Sequence, residues 1–383
     1  MKKPLAIMTV LGTRPEIIKL SPILPRLTEI CERSIVVHSG QHYSYEMDSI
    51  FFEELQLPKA DYLLKAGSAG AGPSVQTARM LAGLEPILQE EQPALVIVQG
   101  DTNTTLAGAL AASKLHIPVL HLEAGCRSFN RAMPEEINRV IVDHISQLLL
   151  APDQSALDNL KNEGCDQNAD LYMVGSSGLE ACMRAAQLAW QRPLLRELGL
   201  DQQPYLVLTL HRAENTTLET LPGLVETIND LAKDWPIVFP VHPRTKAALE
   251  KGRFQLSKGV IQLEPVGYLD MLHLVSQAKA LLTDSGGLQE EAAVLNTPVM
   301  VLRNETEWSY LVKAGAALLV GNTYPETLYT LRHNLQPRWL EDMQNASIPM
   351  PPSVADATLN IIASFLAGNF AARQVPKENY AQI

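Results

Sequence analysis

Short apolar runs alternate with amphipathic stretches along most of the chain. Leu5 to Val10, Ile35 to His38, Ala94 to Val98, Pro118 to Leu122, Leu148 to Ala151 and Leu171 to Val174 are rich in Val, Ile and Leu and end at polar or turn residues, the pattern of strands buried on both faces. Between them apolar positions recur at intervals of three and four. After the turn Gly12-Thr13-Arg14-Pro15-Glu16, the series Ile17, Leu20, Ile23, Leu24 and Leu27 predicts one helix. Gly67 to Ser74, rich in Gly, Ala and Ser, reads as a mobile loop before a long helix. The alternation then starts afresh, with strands expected at Tyr205 to Leu210, Ile237 to Val241, Leu281 to Thr283 and Pro298 to Leu302. Strands alternating with helices form parallel sheets. Two such series predict an α/β chain of two Rossmann-like doubly wound domains facing a cleft. The hinge is expected between Gly175 and Gln203, where Gly, Ser and Pro gather, and a last helix near Ala355 to Ala367 fits either lobe.

The polar residues fall where such a fold would use them. Arg14, His42, Asp101, Glu123, His211, His242, Ser285 and Arg303 all lie just beyond expected strand C-termini. Each alone also reads as a cap or turn residue, but together they mark the end of the sheets where open α/β folds bind ligands. The densest stretch runs from His121 to His144, passing from strand through polar loop into a helix at Pro134. Glu123 emerges there straight from a hydrophobic strand. Two readings of Glu135 stand side by side: a first-turn carboxylate complementing the helix dipole and pairing with Arg139 at i+4, or a proton-handling group. Asp284-Ser285-Gly286-Gly287 opening a helix is a phosphate cradle in chemical type, because glycines let an anion approach the backbone N–H groups. Glu291, six residues past Ser285, is placed to accept ribose hydroxyls. Arg14, His211 and Arg212 offer donors to a diphosphate. Neither GxGxxG nor GxxxxGK[ST] occurs, which argues against a redox dinucleotide and an ATPase.

Composition narrows the partners. The 383 residues carry a net charge of −11 with no basic tract, against a nucleic-acid partner held by phosphate neutralisation. Cys31, Cys126, Cys165 and Cys182 are widely spaced without a CxxC pair, against a zinc ribbon or disulfide framework and in keeping with a reducing compartment. Cys126 lies inside the key stretch and reads as a buried, inert thiol before a nucleophile. The N-terminal MKKPLAIMTVLG imitates a signal peptide but runs into Arg14 and Glu16 without a cleavage site, so it reads as a first strand. No apolar run approaches membrane-spanning length. The expectation is a soluble cytoplasmic protein with no membrane partner.

Taken in order, GTRPE at Gly12, GQH at Gly40, GDTNTT at Gly100, EAG at Glu123, PEEINR at Pro134, HRAEN at His211, HPR at His242 and DSGGLQEE at Asp284 resemble the non-hydrolysing UDP-N-acetylglucosamine 2-epimerase family over roughly the first 320 residues. The resemblance implies a two-lobed fold of the glycosyltransferase-B type, with residues 1–176 as N-terminal domain, 177–365 as UDP-binding domain, and 366–383 crossing back to the first. It implies a UDP-sugar substrate, no metal or redox cofactor, and a homodimer. Asp101, Glu123 and Glu135 become the catalytic carboxylates, the choice of base among them left open, and His211 assists at the diphosphate. Arg14, His242, Ser285, Gly286, Gly287 and Glu291 would hold UDP, with Arg139 and Arg212 completing the substrate contacts. Two departures bear on the sugar and on regulation. Asn304-Glu305-Thr306-Glu307-Trp308 replaces the family's usual TERPE and also resembles relatives acting on UDP-2,3-diacetamido-uronates. Tyr43-Ser44-Tyr45-Glu46-Met47 follows GQH where activated members contact a second substrate molecule. A hydrolysing relative fits the motif set less well. A retaining glycosyltransferase would carry two glutamates separated by seven residues, and upstream of Glu291 the matching position holds Thr283. A catalytically dead sensor would lack the three carboxylates.

Overall fold

A computed structural model describes residues 5–41, 45–67, 72–306, 308–346, 348 and 353–373. His42, Tyr43, Ser44, Glu307 and the side chains of Tyr45, Glu46 and Met47, named above, lie outside the described residues. The chain forms two compact units, residues 1–181 with 351–383, and residues 182–350.

The first unit is built on β1 (Ala6–Leu11), β2 (Arg33–His38), β3 (Tyr62–Leu63), β4 (Leu95–Gln99), β5 (Val119–Leu122), β6 (Leu148–Ala151) and β7 (Asp170–Met173). They lie in the order β3-β2-β1-β4-β5-β6-β7, with all pairs parallel. The second unit repeats the plan with β8 (Leu206–Thr209), β9 (Ile237–Pro240), β10 (Val260–Leu263), β11 (Ala280–Thr283), β12 (Val299–Val301) and β13 (Ala317–Leu319). Its order is β10-β9-β8-β11-β12-β13, again parallel throughout. Both are doubly wound Rossmann-like sheets. Strands β1, β4, β5 and β6 are buried along their whole length, because helices cover both faces; this is why they read as unbroken apolar runs. Strand order reverses between β1 and β4 and between β8 and β11. At such a switch point the loops diverge and leave a crevice for ligand.

The helices that matter for the site are α1 (Arg14–Leu20), α2 (Pro73–Glu91), α3 (Asn103–Lys114), α4 (Pro134–Ile145), α5 (Ser177–Ala189), α6 (Pro243–Gly252), α7 (Gly286–Val294) and α8 (Val354–Arg373). Helix α3 lies close against the first sheet: a Cβ on Gly108 would sit 2.9 Å from Val98 Cγ1 and 3.1 Å from Val10 Cβ. Only glycine permits that approach, and it seats the N-terminus of α3 at the switch point. Helix α8 belongs to the first unit, where Glu180 accepts hydrogen bonds from Ser353 Oγ (3.0 Å) and Ala355 N (2.9 Å).

Several expectations are corrected. The single helix through Ile17 to Leu27 is two pieces, α1 and a 3-10 segment at Leu24–Glu29; Pro22 and Pro25 lack the N–H groups that a continuous helix needs. The loop expected over Gly67 to Ser74 is cut short because α2 begins at Pro73. Strands β3, β10 and β13 escaped the periodicity reading. They are two to four residues long and none is fully buried, so they carry little apolar signal. No helix among the described residues is long and apolar enough to cross a membrane.

Candidate active site

In the first unit the loops after β1, β4 and β5 meet at the switch point. Glu16, buried in the first turn of α1, binds two of them together. Its Oε2 accepts from Gly12 N and Thr13 N (both 2.8 Å), and its Oε1 accepts from Thr102 Oγ1 (2.6 Å) and Thr105 Oγ1 (3.1 Å). Burial outweighs these bonds and pushes its pKa above 4.5. Thr102 caps α3 by accepting from Thr105 N, and Gly100 turns the chain with a φ of +74°.

This frame presents Asp101. Its Oδ2 receives a forked pair from Arg139 on α4, Nε at 2.9 Å and Nη2 at 2.6 Å, and its carbonyl accepts from Asn138 Nδ2 at 2.8 Å. Arg139 therefore does not make the i+4 pair with Glu135 that spacing suggested. Its other nitrogen, Nη1, goes to Glu136 at i+3 (2.9 Å). Glu136 is the structural carboxylate of this helix start. It also accepts from Ser128 N, Ser128 Oγ and Phe129 N, and these bonds offset burial to hold its pKa below the usual range.

Glu123 sits just past β5 with a φ of +66°, a left-handed conformation that costs a non-glycine residue about 1 kcal/mol or more. Its Oε2 accepts from Lys19 Nζ at 2.7 Å and Gln99 Nε2 at 2.5 Å, and it lies 3.9 Å from where a Cβ on Gly100 would stand. Burial opposes the Lys19 ammonium, but Glu123, with help from Asp101, outweighs it and holds the lysine above its usual range. Asp101 and Glu135 line one pocket of about 380 Å³, with Gln41, Asn103 and Asn138. Glu135 is exposed at the start of α4. Arg14 stands exposed at the start of α1, its guanidinium 5.5 Å from the Phe51 ring centre. Asp101, Glu123, Glu135 and Arg139 are thus brought together within this unit.

In the second unit the loops after β8 and β11 meet in the same way. Asp284, fully buried, accepts from His211 N (3.0 Å), Arg212 N (3.0 Å) and Asn215 Nδ2 (3.1 Å), and pairs with His211 Nδ1 at 2.9 Å. Those bonds overcome burial and keep its pKa below the usual range. With Nδ1 engaged by Asp284, Nε2 is the ring nitrogen of His211 left for a ligand. The His242 ring lies 5.7 Å from that of His211; its Nδ1 caps α6 by accepting from Arg244 N at 3.1 Å. Burial, then His211 and Arg244, lower the His242 pKa below 6.5. Ser285 is the N-cap of α7 and makes no side-chain cap bond. A Cβ on Gly287 would meet nothing within 4 Å, so the start of α7 is open to an anion. Gly286 gives its carbonyl to Trp308 Nε1 at 2.8 Å. Glu291 Oε1 accepts from Tyr268 OH at 3.1 Å. Arg303 lies 3.9 Å from Glu214.

Sequence reasoning missed Lys19, Gln99, Glu16, Tyr268 and the role of the Asp284 side chain as an anchor for His211. Only Lys19 and Glu16 carried a signal, since a three-residue spacing places both on one side of α1. The Cys126 thiol is pushed up to about 12 by burial and by Glu123 and Asp153, which suits an inert residue. Among the described residues His144, Glu163 and Cys165 are near enough to share a metal ion. Both Glu163 oxygens are held by Arg127, however, and burial with Asp143 and Glu163 pushes the Cys165 thiol up to about 11.

A family model described as UDP-N-acetylglucosamine 2-epimerase matches residues 28–357. A Methanocaldococcus jannaschii protein named UDP-N-acetylglucosamine 2-epimerase is 47% identical over 82% of this chain and 87% of its own. The Pseudomonas aeruginosa UDP-2,3-diacetamido-2,3-dideoxy-D-glucuronate 2-epimerase is 44% identical over 82% of this chain and 88% of its own. The crystal structure of the M. jannaschii UDP-GlcNAc 2-epimerase in complex with UDP-GlcNAc and UDP matches with a TM-score of 0.76 at 41% identity, covering 94% of this chain and all of that one. The chain belongs to the UDP-N-acetylglucosamine 2-epimerase family.

Proposed function

We propose that this protein is an isomerase interconverting UDP-N-acetylglucosamine and UDP-N-acetylmannosamine by eliminating UDP and adding it back. C2 of the sugar has no adjacent carbonyl, so its proton is too weakly acidic for simple removal and return. Breaking the C1–O bond as the C2 proton leaves yields UDP and a 2-acetamidoglucal. Returning the proton to the other face, with UDP rejoining C1, inverts C2. Hydrogen leaves and returns as a proton, so the chemistry balances without an electron acceptor. It needs proton-handling groups on two faces and a site that stabilises the departing diphosphate.

The observation that carries this reading is the convergence of Asp101, Glu123 and Glu135 around one switch point, the first two held by Arg139 and Lys19. Carboxylates held by cations are fixed in place, while Glu135 stands exposed at the pocket. We assign Asp101, Glu123 and Glu135 to proton transfer and His211 to the leaving diphosphate. Arg14, Arg139, Arg212, His242, Ser285, Gly286, Gly287 and Glu291 contact substrate, with Glu291 taking ribose. Support for the UDP side is the open N-terminus of α7 beside an anchored histidine. The resemblance further supports a cytoplasmic homodimer and a role in surface polysaccharide synthesis. Incubation with UDP-GlcNAc in D₂O, followed by NMR, tests the reading: deuterium must appear at C2 of the product. Product that keeps its original C2 proton points instead to transient oxidation elsewhere on the sugar.

A further inference from the structure

Behind the strand ends lies a buried ionic cluster that the chemistry above does not use. His121 in β5, Asp143 on α4 and Arg127 have side chains at most 1% exposed. Asp143 Oδ1 lies 2.6 Å from His121 Nδ1, and its Oδ2 pairs with Arg127 Nη2 at 2.7 Å and accepts from Gly125 N at 3.1 Å. The other ring nitrogen, Nε2, lies 2.7 Å from the Gly100 carbonyl oxygen. A carbonyl can only accept, and Asp143 is ionised, since His121 and Arg127 offset its burial and hold it below the usual range. Both ring nitrogens are thereby engaged, one by the Asp143 carboxylate and the other by the Gly100 carbonyl. Arg127 is held in turn by Glu163, which takes its Nε and Nη2 at 2.8 and 2.7 Å. A buried carboxylate met by an arginine, a ring nitrogen and a backbone N–H is the arrangement in which its burial is tolerable.

The backbone atoms that this cluster grips are telling. Gly100 immediately precedes Asp101, and Gly125 follows Glu123 by two residues. Gly100, Glu123 and Gly125 all have φ between +66° and +81°, so both loops hold conformations that a free chain seldom adopts. We propose that Asp143 is a positioning residue for the epimerisation, acting through His121 on the loop of Asp101 and through Gly125 on the loop of Glu123. One carboxylate thereby fixes the distance between two of the proton-handling groups. The inference rests on the epimerase reading for its catalytic consequence, though not for its structural one.

Asp143→Asn and His121→Asn test it. Each should lower kcat about 10²-fold, the scale of an ångström's misplacement at a reacting centre, while KM stays within about threefold because the UDP contacts are untouched. The ratio of UDP set free to epimer formed should rise, since a displaced proton donor lets the intermediate escape before re-addition. That ratio does not depend on the fraction of enzyme folded. Amide hydrogen exchange should quicken in peptides covering 100–103 and 123–127 and stay unchanged in the second unit. Unchanged exchange in either loop, a wild-type partition ratio with lowered kcat, or failure of both variants to fold overturns the positioning role. Should the wild-type protein not epimerise UDP-GlcNAc, the exchange arm still decides whether Asp143 holds the loops, so the two failures are distinguishable.

Discussion

Replacing Asp284 with asparagine separates what its charge does from what its shape does. In the native site the carboxylate takes the backbone N–H groups of His211 and Arg212, the Asn215 amide, and the Nδ1 side of the His211 ring. An asparagine can keep its oxygen on the three N–H donors and turn its amide nitrogen toward the ring. Nδ1 then becomes an acceptor, and Nε2 is fixed as an N–H. Charge-assisted bonds of about 1.5–3 kcal/mol become neutral ones of about 1 kcal/mol, so three of them weaken by about 1.5–6 kcal/mol in all. Asp284→Ala leaves the three donors unpaired and should cost more, about 3–9 kcal/mol. All four tryptophans, Trp190, Trp235, Trp308 and Trp339, lie in the second unit, so urea unfolding followed by indole fluorescence reads that unit directly. The pH dependence has a definite sign. A carboxylate whose folded pKa lies below 3.8 adds stability above pH 3.8 that is lost as pH falls through the depressed value; the asparagine variant lacks that acid-labile part. Activity should respond more sharply than stability. An aspartate supports the ring both with and without the Nε2 proton, whereas an amide supports a single neutral tautomer. Turnover should fall by about 10²-fold or more, the usual scale for disabling an acid–base group. A folded Asp284→Asn enzyme with wild-type kcat would remove the His211–Asp284 pair from the chemistry, and an Asp284→Ala protein as stable as wild type would refute the bond count.

Glu16→Gln should behave oppositely: the amide nitrogen can donate to the hydroxyls of Thr102 and Thr105, and removing a carboxyl whose folded pKa is raised removes the stability lost as pH climbs above 4.5. Thermal unfolding at pH 7 should find it within about 1 kcal/mol of wild type or more stable, and a loss above about 3 kcal/mol would mean that the hydroxyls cannot reverse. Asp101→Asn, Glu123→Gln and Glu135→Gln should each lower turnover by about 10²-fold, and near-wild-type rates in a folded variant would take that residue out of proton transfer. Glu291→Ala should weaken UDP binding in a calorimetric titration while changing kcat little, because a ribose contact is shared by ground and transition states; unchanged affinity rejects the ribose assignment. UDP-GlcNAc should be preferred to UDP-2,3-diacetamido-glucuronate, since Arg127 is committed to Asp143 and Glu163 and cannot meet a C6 carboxylate. A preference for the uronate above about 100-fold in kcat/KM, about 2.7 kcal/mol, overturns the sugar and leaves elimination standing.

The parallel sheets were legible because burial on both faces forces continuous apolar runs, and Leu95–Gln99 or Leu148–Ala151 could hardly be anything else. Tyr62–Leu63 and Ala317–Leu319 were not, since strands this short join a sheet for its backbone hydrogen bonds and carry no side-chain pattern of their own. The break after Leu20 was readable in principle. Pro22 and Pro25 interrupt the donors there, and apolar spacing continued across them only because both pieces pack the same core.

The site divides along the same line. Residues just past strand ends, such as Asp101, Glu123 and His211, are singled out by position alone; what each one touches is not. Spacing on a helix suggested Arg139 for Glu135, a local pair worth a few tenths of a kcal/mol. The fold instead offers Arg139 the carboxylate of Asp101, 38 residues away, with two donors at once. A forked, partly buried charge pair outweighs an exposed i+4 contact, so the tertiary partner wins. Lys19 and Glu123, 104 residues apart, and Asp284 with His211, 73 apart, follow the same rule. The sheet order brings these charged partners from other elements to the switch points. The residues we assign to the chemistry can therefore be picked out by their place in the chain, while the residues that hold them become visible only when the strands are laid side by side.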